Sequence, residues 1–279
     1  MTGFTHIAVV DWSAASSPSP ARPAADAIWI GVHGPDGAGQ TYHRTRASAE
    51  SALRDLVARP GRWLIGFDFP MGYPQGFAAR LTGTPRAEAV WHWLAARITD
   101  APDNRNNRFA LAAEINRQFG GGLFWGRPAT LDLPDLPPRR TTDPAALGLA
   151  DRRAVERLVP RAQPVWKLYT TGSVGSQALM GLPVIARLAA LPDVSVWPFH
   201  PPSRVVLAEV YPSLLGARIT AEPGIKDATQ VRLLARAFWQ LAQTDRLAPL
   251  LDAAPAPARS EEGWILGAGH AALLQQAAG

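Results

Sequence analysis

HIAVVDW at residues 6–12 and WLIGFDFP at residues 63–70 are two short apolar runs of the buried-strand type, each stopping on a carboxylate, Asp11 and Asp68. A third run, RVVLAEVYP at 204–212, stops on Glu209, and Glu261 with Glu262 opens EEGWILGAGHAALL at 261–274, which reads as a closing helix with Ser260 as its N-cap. An acid at the end of a buried strand is unstable there unless it neutralises or meets a cation. Acids in four such settings point to one shared metal ion.

Working outward, His6–Asp11, Ala27–His33 and Gln40–Arg44 read as strands, and HGPDGAGQ between the second and third is turn chemistry. Ser48–Ala58 has helical spacing and Trp63–Phe69 is the fourth strand, so the chain opens β-β-β-α-β. Residues 71–196 then change character. Helix candidates at Arg86–Ile98, Asn107–Phe119 and Ser176–Leu191 alternate with Pro-, Gly- and Arg-rich loops, and between Ala101 and Arg161 ten arginines stand against seven acids. This basic insertion is expected to form a lid or wall over the carboxylates. Beyond it lie a strand at Ser203–Tyr211, an amphipathic helix at Lys226–Gln243, the linker DAAPAPARS and the closing helix from Glu261. There is no internal repeat, and residues 1–279 are expected to form one domain.

The order predicts an α/β fold of the ribonuclease H-like type: a mixed sheet made of a three-stranded antiparallel meander plus parallel strands, with a large helical insertion. In that topology the first and fourth strands lie side by side, so Asp11 and Asp68 converge, and Glu262 takes the helical place. Hard divalent ions, Mg2+ or Mn2+, want oxygen ligands and can activate a water for phosphodiester cleavage. The expected catalytic set is Asp11, Asp68, Glu209, Glu262 and Lys226, with Asp11, Asp68 and Glu262 as metal ligands, Glu209 as a further ligand or support, and Lys226 as a charge-neutralising neighbour.

VVDWSA, IGFDFPMGYP, LAEVYPSLL, GIKDATQVRLLARAF and the acidic start of the last segment resemble, in order, the sequence blocks of the family called domain of unknown function 429. The resemblance covers roughly residues 5 to 80 and 200 to 275 and implies a ribonuclease H-like nuclease. This chain departs from the pattern in having Trp12-Ser13-Ala14-Ala15 where glycines follow the first Asp, and Ile265 where a further Asp is expected.

Composition narrows the chemistry. There is no cysteine, which excludes thiolate catalysis, disulfides and sulfur-held zinc, and His6, His92 and His200 lack metal-ligand spacing. No apolar run approaches the roughly 18 residues of a membrane span, so a cytoplasmic protein with no membrane partner is expected. Net charge is +5, and all basic residues but Lys167 and Lys226 are arginine, compatible with a nucleic acid or nucleotide partner and equally with a compositional bias. Arg105 and Arg108 in NRNNR, and Ser173 and Ser176 in TTGSVGSQAL, stand where helix starts could meet phosphate; Ser13 and Asp227 complete the expected substrate contacts. Each has a local alternative, in turn formation, helix capping or a Glu209–Lys226–Asp227 ion-pair group, and Trp125, Trp166 and Trp197 could stack bases or plug the core. At the level of function the alternative is a non-catalytic nucleotide or nucleotide-cofactor binding protein with a degenerate metal site. Kinases of related topology need a second copy of the fold, which this length does not supply.

Overall fold

The structure, a computed structural model, describes residues 3–159 and 161–279. Its strands are β1 (His6–Asp11), β2 (Ile28–Gly34), β3 (Gly37–His43), β4 (Trp63–Phe67), β5 (Val194–Trp197) and β6 (Val205–Glu209). They form a mixed sheet in the order β3-β2-β1-β4-β6-β5. The first three pair as an antiparallel meander, and β4, β6 and β5 run parallel to β1. β4 is buried at every position because both its faces are covered, whereas β3, GAGQTYH, is an exposed polar edge that resists pairing with another chain.

The helices are α1 (Arg46–Ala58), α2 (Phe77–Thr82), α3 (Ala87–Ala95), α4 (Arg108–Phe119), α5 (Ala154–Leu158), α6 (Gly175–Ala189), α7 (Gly216–Ala221), α8 (Lys226–Gln243), α9 (Ala248–Asp252) and α10 (Ala271–Ala277). Strand alternation sorts them into two layers. Ala8, Val10, Ile65, Phe67 and Leu207 face one core with residues of α1, α3, α4 and α6, such as Leu53, Trp91, Ile115 and Leu182. Ile7, Val9, Leu64, Val206 and Ala208 face the other, built on Val231, Leu234 and Phe238 of α8. α8 can lie this close because β2 carries Gly31: a Cβ there would stand 2.7 Å from the Val231 carbonyl.

Three expectations are corrected. The insertion, expected as a lid or wall over the carboxylates, is in large part a layer of the fold itself. Its helices α3, α4 and α6 form the layer on one face of the sheet, because their apolar faces are needed to bury Val10, Ile65 and Phe67, and β5, unforeseen within the same segment, extends the sheet beside β6. Residues 261–269 are not helical. Gly263, Gly267 and Gly269 adopt positive φ of 71°, 90° and 80°, and the segment instead bridges Glu209 at Ile265; the last helix begins only at Ala271. Ser260 ends a 3-10 turn (Ala256–Arg259), and its hydroxyl donates to the Pro257 carbonyl at 3.2 Å rather than capping a helix.

Candidate active site

Pairing of Val10 with Phe67 places Asp11 and Asp68 in adjacent positions just beyond the last paired rung of two parallel strands, at their carboxyl ends. Alternation turns both side chains to the α8 face. The Trp12 N–H donates to Asp68 Oδ1 at 2.7 Å, and the Asp11 carboxyl is its close neighbour. Lys226 and Asp227 open α8 at the same rim, where Asp227 Oδ2 accepts the Asp26 N–H at 2.6 Å.

The result is a half-buried cluster of carboxylates that repel one another. Burial pushes Asp11 well up from the usual carboxylate range; Asp68, Asp227 and Asp26 add to the rise and the Lys226 charge opposes it. Burial raises Asp68 to about 7, with Asp227 adding to the rise, against the Trp12 N–H and the Asp11 carboxyl, which favour its ionised form. Asp227 is raised by burial and by Asp26, while the Asp26 N–H and Lys226 counter. None of Asp11, Asp68 and Asp227 is ion-paired to an arginine among the described residues. Such a pair of strand-end acids either retains a proton or takes a cation in its place. The donors are all oxygen and negatively charged, the chemistry that suits Mg2+ or Mn2+. No group of three or more His, Cys, Asp or Glu side chains among the described residues stands in metal-binding arrangement.

Glu209 does not join them. It pairs in register with Phe67, one residue short of Asp68, and alternation therefore turns it to the opposite face. There Arg153 grips it bidentately at 2.6 and 2.7 Å, Met71 N–H donates to it at 3.0 Å, and Arg153 also binds Glu156 at 2.8 Å, all of it buried. The expected Glu209–Lys226–Asp227 ion-pair group is absent for the same reason.

Glu262 is likewise engaged elsewhere. Its carboxylate accepts the Ala154 N–H at 2.8 Å and the Gln75 N–H at 3.3 Å, while Glu261 accepts the Gly76 N–H at 3.0 Å. These acids fasten residues 72–76 and α5 to the C-terminal segment. Gly72 makes the contact possible, since a Cβ there would meet the Glu261 carbonyl at 2.1 Å.

The expected substrate contacts divide. Arg105 lies outside the cluster, exposed and held by Asp103 at 2.7 Å. Ser13 is buried in the turn after β1: its hydroxyl donates to the Asp26 carbonyl at 3.3 Å and accepts the Ala15 N–H, which leaves it structural. Ser173 sits in a turn closed by its own N–H to Thr170. Arg108 and Ser176 do meet, at 3.1 Å, near the loop that follows Asp11. Trp166 and Trp197 are core plugs, Trp166 packed among Tyr73, Phe77 and Phe124.

Sequence reasoning missed Asp26, an acid in an irregular loop whose charge reaches Asp11 and whose N–H binds Asp227, 201 residues away. It also missed Arg153, indistinguishable beforehand from the other arginines of the insertion. Asp227, taken as a substrate contact, belongs instead with Asp11 and Asp68. Compared with protein-family models, with curated proteins and with solved structures, the chain matches none of them.

Proposed function

We propose that this chain is a metal-dependent phosphodiester hydrolase of ribonuclease H-like type, acting on nucleic acid or a nucleotide with Mg2+ or Mn2+ held by Asp11, Asp68 and Asp227. The observation that carries the reading is the placement of Asp11 and Asp68 side by side at the carboxyl ends of adjacent parallel strands, with Asp227 on the first turn of α8 close enough for its charge to reach both and no arginine paired to any of them among the described residues. The strand order β3-β2-β1-β4-β6, with β2 antiparallel, supports the fold assignment. When bound, the ion would supply a Lewis acid and a water of lowered pKa.

The chain's own groups prepare for this. The Trp12 N–H fixes the Asp68 carboxyl, the Asp26 N–H fixes that of Asp227, and Lys226 offsets part of the accumulated negative charge. A cation bound by Asp11 and Asp68 would displace the proton that burial favours there, so metal binding would release it. The second reading, a nucleotide binder with a degenerate metal site, draws on Glu209 and Glu262 being committed to structural partners.

Asp68→Asn tests the two. It is expected to fold, to lose Mn2+ binding by titration calorimetry, and to lose Mn2+-dependent cleavage of single-stranded DNA and RNA. Native protein that binds no Mn2+ and cleaves neither polymer defeats the hydrolase reading; nucleotide binding that survives Asp68→Asn then favours the binder.

A further inference from the structure

Among the described residues, Arg108 is a buried cation with no ion-pair partner. Only 8% of the residue is exposed, and its guanidinium touches neutral groups alone: it donates to Ser176 Oγ at 3.1 Å, Ser16 Oγ at 2.8 Å and Asn106 Oδ1 at 2.8 Å, and lies over the Phe109 ring with Cζ 4.2 Å from the centroid. Asp100, whose charge reaches it, is already forked onto Arg46 with both contacts at 2.6 Å. Desolvation and the Arg46 charge push Arg108 down to about 10. Its place in the fold compounds the difficulty. Arg108 is the first residue of α4 and Ser176 the second of α6, so the guanidinium lies at the positive ends of two helices, where a cation is disfavoured and an anion welcome. A merely structural strut would gain from a carboxylate here.

Ser16 is exposed, and its hydroxyl accepts from Arg108 with its own hydrogen left to donate outward. Ser16 also lies five residues after Asp11, so it is within about 18 Å of the carboxylate cluster along even a fully extended chain. A polymer of phosphates lying at the carboxyl ends of the strands spans such a distance.

We propose that Arg108 and the Ser16 hydroxyl form a phosphate seat that holds a substrate phosphate other than the one undergoing cleavage. The proposal rests on the hydrolase reading for what the seat serves, and it makes the substrate an oligonucleotide or other compound with more than one phosphate group. Arg108 is then a positioning residue: its guanidinium and the Ser16 O–H donate to phosphate oxygens, and no bond is made or broken there.

The test uses the full chain in EDTA, so that neither metal nor turnover enters. Inorganic phosphate is titrated against sodium chloride at matched ionic strength, read by melting temperature and by the Arg108 Nε–H resonance. The expected result is a phosphate-specific rise in melting temperature and a saturable shift of that resonance. Arg108→Gln should weaken phosphate binding at least tenfold and Ser16→Ala, at an exposed position, about threefold, whereas Asp68→Asn should bind phosphate as well as native protein does. Native protein that responds to phosphate as it does to chloride overturns the seat, as does a folded Arg108→Gln that binds with undiminished affinity. Because native protein and Ser16→Ala carry the test too, an Arg108→Gln that fails to fold leaves it decisive. Phosphate binding without hydrolysis would sink only the hydrolase reading, and hydrolysis without phosphate binding only the seat.

Discussion

The N–H of Trp12 donates to Oδ1 of Asp68 at 2.7 Å, so the turn leaving β1 holds the acid that ends β4. Through this bond the two strand ends are fixed to each other, and the carboxyl of Asp68 is kept beside that of Asp11 despite their repulsion. Its consequences are measurable.

Asp68→Asn retains an oxygen for the Trp12 N–H while removing one charge from the cluster. At pH 8 the variant should melt no lower than the native protein, because a repulsive carboxylate is gone. Metal-dependent cleavage should fall by roughly 100-fold or more, the several kcal/mol that a displaced catalytic ion represents. Thermal melts and cleavage assays run side by side give both numbers.

The same carboxyl sets a pH dependence. Its pKa rises from 3.8 to about 7 on folding, so the folded chain keeps a proton that the unfolded chain releases. That contribution to stability is whole below about pH 4 and is lost as pH rises through about 7. Native protein should therefore lose melting temperature, relative to Asp68→Asn, across this window. Mn2+ should restore it, and more strongly at pH 8 than at pH 5.5, since the ion replaces the proton. Melts at matched ionic strength, with and without Mn2+, would expose a native protein whose pH profile parallels the variant's, against this expectation.

Arg153 is expected to be a stability residue alone. Arg153→Met strands Glu209 and Glu156 in the interior, at about 3–5 kcal/mol, and should leave little folded protein. Glu209→Gln keeps the Glu156 partner of Arg153 and should be milder. If it folds, its Mn2+-dependent cleavage per folded molecule should stay within about threefold of native, which urea unfolding and cleavage assays together decide.

Gly31→Ala would push a methyl into the backbone of α8 at Val231. The expected cost is about 1–3 kcal/mol by overpacking, with a loss of Mn2+ affinity because α8 carries Asp227 into the cluster. Chemical denaturation and calorimetry separate the two effects.

Much of the architecture is written locally in the chain. β1 falls where HIAVVD places it, α8 spans Lys226–Gln243 as its periodicity predicts, and the Gly-Pro-Asp-Gly turn joins β2 to β3, because apolar period and turn chemistry act over a few residues. Asp11 and Asp68 were legible as a pair for the same reason, each ending a run of buried-strand type. What lay beyond local reading was the company each acid keeps. Glu209 ends its strand as Asp68 does, yet a one-residue offset in β4–β6 register turns it to the other face and into the grip of Arg153. Glu262 looked like a helix-borne ligand until three glycines of positive φ broke the helix and spent its oxygens on backbone N–H groups. Asp227 and Asp26 meet across 201 residues. Most strands and helices follow from neighbours in the chain and were legible in the sequence; β5, the non-helical 261–269 segment and the choice of which charges share a cleft depend on register and packing between distant segments, which only the assembled tertiary structure decides.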